Sequence, residues 1–151
     1  SLDLQVLRSQ STDLSEAALR SEDYASLARL MVATVTHPSQ DGVGIAGPQV
    51  GLNRRVVAVQ RFDKPGEPFE VYPNISIVWA SDSLASGPEG CLSVPDRRGE
   101  VLRSQEIVIE YASTDCENSL NMVKDTVKGF TAVIFQHEID HLDGILYIDR
   151  L

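Results

Sequence analysis

The stretch GFTAVIFQHEIDHL, residues 129–142, carries the strongest structural signal in the chain. Its apolar residues and histidines recur at the three- and four-residue spacing of one α-helical face. The residues on this face are Phe130, Val133, Ile134, His137 and His141. Asp143 and Gly144 follow, and glycine is the residue expected just past a helix end. The stretch therefore predicts a helix that ends near Leu142 and closes the chain.

A second helix is predicted near the N-terminus, between Ser21 and Thr36, where apolar residues again recur at helical spacing. His37-Pro38 predicts its end, because the residue before proline disfavours helical backbone angles. Between the two helices, four β-like runs are separated by clusters of Pro, Gly, Asp and Ser. They span residues 56–60, 69–72, 75–80 and 106–112. Their short connections favour antiparallel pairing, and the order helix, strands, helix predicts an α+β fold.

The composition is that of a folded domain. The chain has 151 residues, of which 42% are hydrophobic and 23% charged, and this length predicts a single domain spanning residues 1–151. Thirteen basic against 22 acidic side chains give a formal charge of −9, which opposes binding to nucleic-acid phosphates. No apolar run approaches the roughly 20 residues of a membrane span, and the N-terminal residues lack an export signal. We therefore expect a cytoplasmic protein without nucleic-acid or membrane partners.

His137, Glu138 and His141 form an H-E-x-x-H pattern on the last predicted helix. Histidines four residues apart lie on one helical face, so both imidazoles can reach one metal ion. Glu138 lies about 100° round the helix from His137, which leaves its carboxylate near the ion to handle protons. The alternative is a helix with two histidines at the edge of the core and a surface glutamate. The combination of all three residues favours a metal site.

A catalytic site of this kind needs a further ligand, because such centres usually have three protein ligands and one open position. Common metallopeptidases with this helix take a His or Glu downstream, but the ten residues after His141 contain neither. Upstream, Cys91 lies in PEGCLSVP, residues 88–95, where Gly and Pro predict an extended or turned strand end. Its thiolate is a candidate ligand, and the alternative is a small buried hydrophobe. Cys116, between acidic neighbours, is assigned no role.

Three motifs follow one another along the chain: GVGIAGPQ at residues 42–49, EGCLS at 89–93 and QHEIDH at 136–141. In this order they resemble the signature motifs of peptide deformylases. The resemblance covers nearly the whole chain. It implies hydrolytic removal of the formyl group from the N-terminal formylmethionine of new polypeptides, with release of formate. It also implies an α+β fold in which mostly antiparallel strands pack around the central metal helix.

The resemblance assigns roles to residues of all three motifs. Glu138 is implied as the general acid and base, and Gln49, through its side-chain amide, and Leu92, through its backbone N–H, are implied to stabilise the oxyanion. The implied metal ligands are Cys91, His137 and His141. The residues implied to bind substrate are Val43, Gly44 and Gly90 along the peptide backbone, and Glu89, Arg98 and Val133 beside the methionine side chain. Arg103 is a candidate partner for Asp140, an acid that supports the site in the family pattern.

The family implies one divalent metal ion, Fe²⁺. Zinc binds nitrogen and sulfur donors more tightly than ferrous iron, so a purified sample can carry Zn²⁺, Ni²⁺ or Co²⁺ instead. The expected partners are N-formylmethionyl peptides and nascent chains, with the ribosome as a further partner. We expect a monomer, because no long apolar stripe is left over once the predicted helices and strands are packed. A bacterial, organellar or viral source stays open.

Two features depart from the family pattern. Gly47 stands where many relatives have alanine, and we expect it to loosen its loop. The chain ends at Leu151, soon after the metal helix, whereas many bacterial members carry a further C-terminal helix.

Two other functions stay open on the residues alone. A zinc endopeptidase would use the same helix but leaves Cys91 unexplained. A catalytically silent binder of nascent chains or metal would require a broken catalytic residue, although Glu138 and Gln49 are both present. The glycine-rich segment at 42–49 is not expected to bind nucleotides, because it lacks the Gly-Lys-Ser/Thr ending of a P-loop.

Overall fold

A computed structural model describes the backbone of residues 10–39, 42–91, 94–114, 120–145 and 147–150, and the side chains of these residues except 87–91, 94–100 and 147–148. The helices are α1 (Glu16–Leu19), α2 (Glu22–Thr36) and α3 (Gly129–Leu142), with 3₁₀ turns at Gly47–Val50 and Tyr147–Arg150. The strands are β1 (Gly44–Ala46), β2 (Val56–Gln60), β3 (Phe69–Pro73), β4 (Ser76–Ala80), β5 (Leu84–Cys91), β6 (Val94–Ser104), β7 (Glu106–Ser113) and β8 (Asn121–Lys128).

The strands form three antiparallel groups. The first sheet has the order β1-β2-β3, so β1 lies at its edge, and the second has the order β4-β7-β8. Strands β5 and β6 pair as a two-stranded hairpin. All of these strand pairs are antiparallel, which confirms the predicted α+β fold of mostly antiparallel strands.

The first sheet is covered by a helix on each face, because successive side chains of a strand point to opposite sides. Val57 and Val59 of β2 pack into the main core with Phe135 of α3. The alternate residues of the same strand, among them Val56, pack with Met31 and Val35 of α2. The second sheet also contributes buried side chains to the main core, namely Ile107, Ile109 and Val127. The helix with the H-E-x-x-H pattern therefore lies centrally, between the two larger sheets.

The elements predicted from local patterns are confirmed. Helix α2 begins after Ser21, whose hydroxyl accepts a hydrogen bond from the Tyr24 N–H at 3.2 Å, and it ends at Thr36, just before His37-Pro38. Helix α3 spans the predicted residues, and Gly144 after it has a φ of 76°. The four predicted β-like runs correspond to β2, β3, β4 and β7.

Other elements were not predicted. Strands β1, β5, β6 and β8 and helix α1 are absent from the sequence interpretation. Residues 84–91 and 94–104, which form β5 and β6, are rich in Gly, Pro, Ser and Arg, residue types that give little local β signal. The predicted glycine-rich loop at 40–51 contains a short strand and a 3₁₀ turn.

Gly47 is closely surrounded by backbone atoms of its own loop. A Cβ atom at this position would lie 2.7 Å from the carbonyl oxygen of Arg54 and 2.8 Å from that of Leu52. Both are backbone atoms, so neither can swing away as a flexible side chain would. The Leu52 N–H also donates to the Gly47 carbonyl at 3.0 Å. Glycine here permits close packing of the segment that follows β1.

The sequence led us to expect no membrane-spanning segment, and the helices of the structure can be compared with that expectation. Within the described part of the chain, none of them has the length and hydropathy needed to cross a lipid bilayer.

Candidate metal centre

Helix α3 is buried on most sides and still carries polar side chains. Ten of its 14 residues are buried, among them Gln136, Glu138, Asp140 and His141. The helical face predicted from the sequence periodicity is only partly buried in the protein. Phe130 is 60% exposed, and Val133 and His137 are half-buried. The line from Phe130 to His137 is therefore the side on which the helix approaches solvent.

His137, Glu138 and His141 come together on this helix. Each offers one ligand atom, and the three atoms lie within 4.8 Å of one another. The two imidazole rings have centroids 5.2 Å apart. Among the described residues this is the one group of three or more potential metal-binding side chains. Two imidazoles that converge beside a carboxylate form a donor set that suits a divalent transition metal.

The protonation state of His141 fits a ligand. Burial, together with the charge of nearby His137, lowers the pKa of His141 to about 3. Its imidazole is therefore neutral near pH 7 and carries a lone pair. A neutral imidazole is the form that binds a metal ion.

Glu138 lies directly against the backbone of β1. A Cβ atom on Gly44 would lie 2.8 Å from Oε2 of Glu138 and 2.8 Å from Cγ2 of Ile134, closer than real Cβ atoms approach other atoms. Only glycine allows this contact between β1 and α3. The structure thus brings Gly44, a predicted substrate-binding residue, to the predicted acid and base. Val43, the residue before it, packs half-buried against the main core.

Gln49 lies in the 3₁₀ turn that follows β1. Its Oε1 atom accepts a hydrogen bond from the Ala46 N–H at 2.9 Å. This contact fixes the orientation of the side-chain amide, so its donor end, Nε2, lies on the side away from Ala46. A fixed amide donor is what the predicted oxyanion role needs.

The second motif lies on the β5–β6 hairpin. Cys91 is the last residue of β5, as its predicted strand-end position requires, and its backbone pairs with Val94 across a register shift. Gly90 pairs with Arg98. The remaining predictions for this motif lie outside what the structure describes: the side chains of Glu89, Cys91 and Arg98, and all of Leu92.

A cavity of about 600 Å³ adjoins the first turns of α3. Val133, predicted to border the methionine side chain, lines it together with Phe130. Val133 lies four residues before His137, so the cavity reaches to within about one helical turn of the donor cluster. The other lining residues come from 81–85, 105–106 and 128–129.

Asp140 is held by two arginines. Its Oδ2 atom accepts from Nη1 of Arg103 at 2.6 Å, which confirms the predicted pairing. Arg150 donates from Nε to Oδ2 at 2.5 Å and from Nη2 to Oδ1 at 2.8 Å. The Arg150 contact was not predicted, and no local sequence pattern indicates it, because the two residues lie on different elements.

Gln136 was also missed, although it is the first residue of the third motif. Its Oε1 accepts from the Ser104 N–H at 2.9 Å, and its Nε2 donates to the Ser104 carbonyl at 2.8 Å and to the Ala132 carbonyl at 3.0 Å. The available signal was its spacing of four residues from Asp140, which places two polar side chains on one face of a buried helix.

The family model for polypeptide deformylase matches residues 1–151. The chain belongs to the peptide deformylase family. The peptide deformylase of Leptospira biflexa serovar Patoc is 39% identical over 155 residues, which cover 97% of this chain and 82% of that protein. Peptide deformylase 2 of a Nostoc species is 44% identical over 127 residues, covering 80% of this chain and 68% of that protein.

Among solved structures, the Met-Ala-Ser-bound class I type b peptide deformylase from Acinetobacter baumannii superimposes with a TM-score of 0.85. It is 37% identical, and the match covers 97% of this chain and 92% of that one. Peptide deformylases are metal-dependent hydrolases that remove the formyl group from the N-terminal methionine of newly made polypeptides. This chain is an enzyme of that family and activity. The predicted family and function are confirmed, in preference to an endopeptidase or a silent binder.

Proposed function

We propose that deformylation in this chain depends on a divalent metal ion held by His137, His141 and Cys91, with Glu138 as general acid and base. The observation that carries the proposal is the cluster on α3, in which one side-chain donor atom from each of His137, Glu138 and His141 lies within 4.8 Å of the other two. Cys91 is proposed as the third ligand; its place at the end of β5, whose partner strand β6 packs against α3, supports this assignment.

In this proposal each group has one task. When bound, a divalent ion in this donor set polarises the formyl carbonyl and acidifies water. Glu138, held against Gly44, accepts the proton of the attacking water and delivers it to the departing amine nitrogen. The side-chain amide of Gln49 and the backbone N–H of Leu92 donate hydrogen bonds to the developing oxyanion. Formate and a free N-terminal methionine are the products.

The substrate is proposed to lie in an extended form beside β1. Val43, Gly44 and Gly90 would bind its backbone, and the residues beside its methionine side chain would be Glu89, Arg98 and Val133. The position of Gly44 against Glu138 and that of Val133 on the cavity wall support this arrangement. The Acinetobacter relative binds the peptide Met-Ala-Ser, and we extend that class of ligand to this chain.

We further propose Fe²⁺ as the working ion, with Zn²⁺, Ni²⁺ or Co²⁺ as substitutes in purified samples. The substrates would be N-formylmethionyl peptides and nascent chains, met at the ribosome in the cytoplasm. We propose a monomer that forms one domain. Light scattering across a range of concentrations measures the oligomeric state, and a mass of twice 16.5 kDa would contradict the monomer.

The test is formate release from formyl-Met-Ala by protein loaded anaerobically with Fe²⁺. We expect release by the wild type and its near-complete loss in Glu138→Ala, with the metal content of the protein unchanged. Glu16→Ala, at an exposed acid on α1, is the matched control and retains activity. Full activity in Glu138→Ala would remove this residue from the mechanism, and cleavage of unformylated peptides would point back to an endopeptidase.

A further inference from the structure

We propose that Gln136 is a positioning residue: it fixes the β5–β6 hairpin on α3 and thereby sets where Cys91 lies relative to the two histidines. The inference rests on the proposed function, in which Cys91 is the third ligand. It adds a residue that touches neither substrate nor metal but determines whether the ligands from two separate elements meet.

Gln136 hydrogen-bonds to the backbone of β6 in the way that a neighbouring β-strand would. Its amide accepts from the backbone N–H of Ser104 and donates to the carbonyl of the same residue, at 2.9 and 2.8 Å. A side-chain amide thus serves both backbone groups of the last residue of β6. Gln136 is only 9% exposed, and hydrogen bonds shielded from water hold their geometry more firmly than exposed ones.

A second contact lies one helical turn further along α3. Asp140 accepts from Nη1 of Arg103, the neighbour of Ser104, at 2.6 Å, and the Arg103 side chain is 4% exposed. Gln136 and Asp140 therefore fasten consecutive residues of β6 to one face of α3. Two attachments fix both the position and the rotation of the hairpin on the helix, where a single one would leave it free to pivot.

The attachment is transmitted to Cys91 through the hairpin ladder. Ser104 pairs with Leu84 at one end of the hairpin, and the register runs unbroken to the pair of Gly90 with Arg98. A register shift then precedes the pair of Cys91 with Val94. On the helix side, Gln136 directly precedes His137. Metal-ligand distances must hold to about 0.2 Å, so even a small shift of the hairpin on α3 would weaken a site that uses donors from both.

The test uses Co²⁺ as the probe, because a cobalt-thiolate bond gives a charge-transfer absorption that histidine ligands do not. The variant Gln136→Met keeps the length of the side chain but removes its hydrogen bonds to Ser104. We expect it to weaken Co²⁺ binding roughly 10- to 100-fold, the range seen when outer partners of a metal site are lost. We also expect the charge-transfer absorption per bound cobalt to fall.

Two further variants separate positioning from stability. Gln136→Glu keeps the acceptor for the Ser104 N–H and loses the donor, so it should recover part of the absorption. Val35→Ala removes buried methyl groups from α2, which packs on the face of the first sheet opposite α3. It should lower the denaturation midpoint without changing cobalt affinity or the absorption.

Unchanged cobalt affinity and absorption in folded Gln136→Met would overturn the inference, and so would loss of the fold in both Gln136 variants, which would make the residue one of general stability. The failure of the proposed function looks different. A wild type without the charge-transfer absorption, or a Cys91→Ser variant that keeps it, would remove Cys91 from the ligand set, and this inference would fall with that assignment.

Discussion

Helices α2 and α3 have nearly the same length but bury different kinds of side chain. Helix α2 has 15 residues and buries Met31 and Val35 against one face of the first sheet. Helix α3 has 14 residues and buries ten, including four polar side chains from Gln136 to His141. Helix α2 contributes buried apolar area, while α3 brings specific polar groups into the interior.

The difference lies in what each burial requires. An apolar side chain gains free energy wherever it leaves water, in proportion to the area buried. A buried polar side chain loses free energy unless a partner meets it. Gln136 and Asp140 meet such partners on β6. Buried polar residues that break the simple pattern of a core are where function is expected, so changes in α2 should alter stability and changes around α3 should alter turnover.

After Glu138→Ala, the largest expected effect is that of Gln49→Ala, beside α3. Loss of one oxyanion donor typically raises the barrier by about 2.7 to 4 kcal/mol, so kcat should fall roughly 100- to 1,000-fold. The fold should persist, because Gln49 is only half-buried. Steady-state formate release and a thermal denaturation curve measure the two quantities. A decrease of only a few-fold would exclude Gln49 from the oxyanion site.

Gly44→Ala should follow. The new methyl group would overlap Oε2 of Glu138 and Cγ2 of Ile134, and so displace the carboxylate. A misplacement of about 1 Å can cost about 100-fold in rate. Overpacking should also lower the free energy of unfolding by about 1–3 kcal/mol. Normal kcat in this variant would show that Glu138 does not need its observed position.

Val35→Ala tests the other side of the comparison. Val35 is fully buried between α2 and the first sheet. Loss of its methyl groups should cost roughly 2 kcal/mol of unfolding free energy, measured by urea titration. Formate release by the folded protein at 25 °C should match the wild type. A large decrease in kcat would show that α2 also determines the geometry of the site.

Ser21→Ala concerns the start of α2. The Ser21 hydroxyl accepts from the Tyr24 N–H at 3.2 Å, and removal of such a cap costs about 1 kcal/mol. We expect a small decrease in Tm with no change in metal content. Ser21→Asp can still cap the helix but cannot donate to the Ala18 carbonyl, as the Ser21 hydroxyl does at 2.6 Å, so it should recover part of the lost Tm. A drop equal to that of alanine would dismiss the cap as the cause.

The smallest effect concerns Asp63, which contacts a buried arginine beneath α3. Arg61 stacks 5.7 Å from the centre of the Phe135 ring and donates to both carboxylate oxygens of Asp63 at 2.8 and 2.9 Å. These hydrogen bonds hold the pKa of Asp63 below its usual 3.8. A lowered pKa contributes stability above the unfolded-state pKa, and this stability is lost as the pH falls through the folded value.

The wild type should therefore be more stable than Asp63→Asn at pH 7, and the difference should disappear as the pH drops below about 3.8. Denaturant midpoints at a series of pH values measure it. A difference that is independent of pH would mean that the charge of Asp63 is not the source.

Local patterns made a large part of this molecule predictable. The apolar run of β2 and the spacing of His137 and His141 are visible within a few residues of sequence. The β5–β6 hairpin was missed because its residues show little β preference by themselves, and its strands are fixed by pairing with each other. The contacts of Asp140 with Arg150 and of Gln136 with Ser104 join different elements, so no local pattern indicates them. The close approach of the Leu52 and Arg54 carbonyls to Gly47 was not predicted for the same reason: both residues follow the 3₁₀ turn, and only the fold brings them close.

Strand β1 forms one edge of the first sheet. An edge strand offers hydrogen bonds to any polypeptide backbone, whatever side chains that backbone carries. A substrate that lay along β1 as proposed would be recognised, beyond its methionine, through its backbone. The side chains that follow the methionine would matter little. Such tolerance is what a cell needs if one catalyst is to process the beginnings of thousands of unrelated proteins.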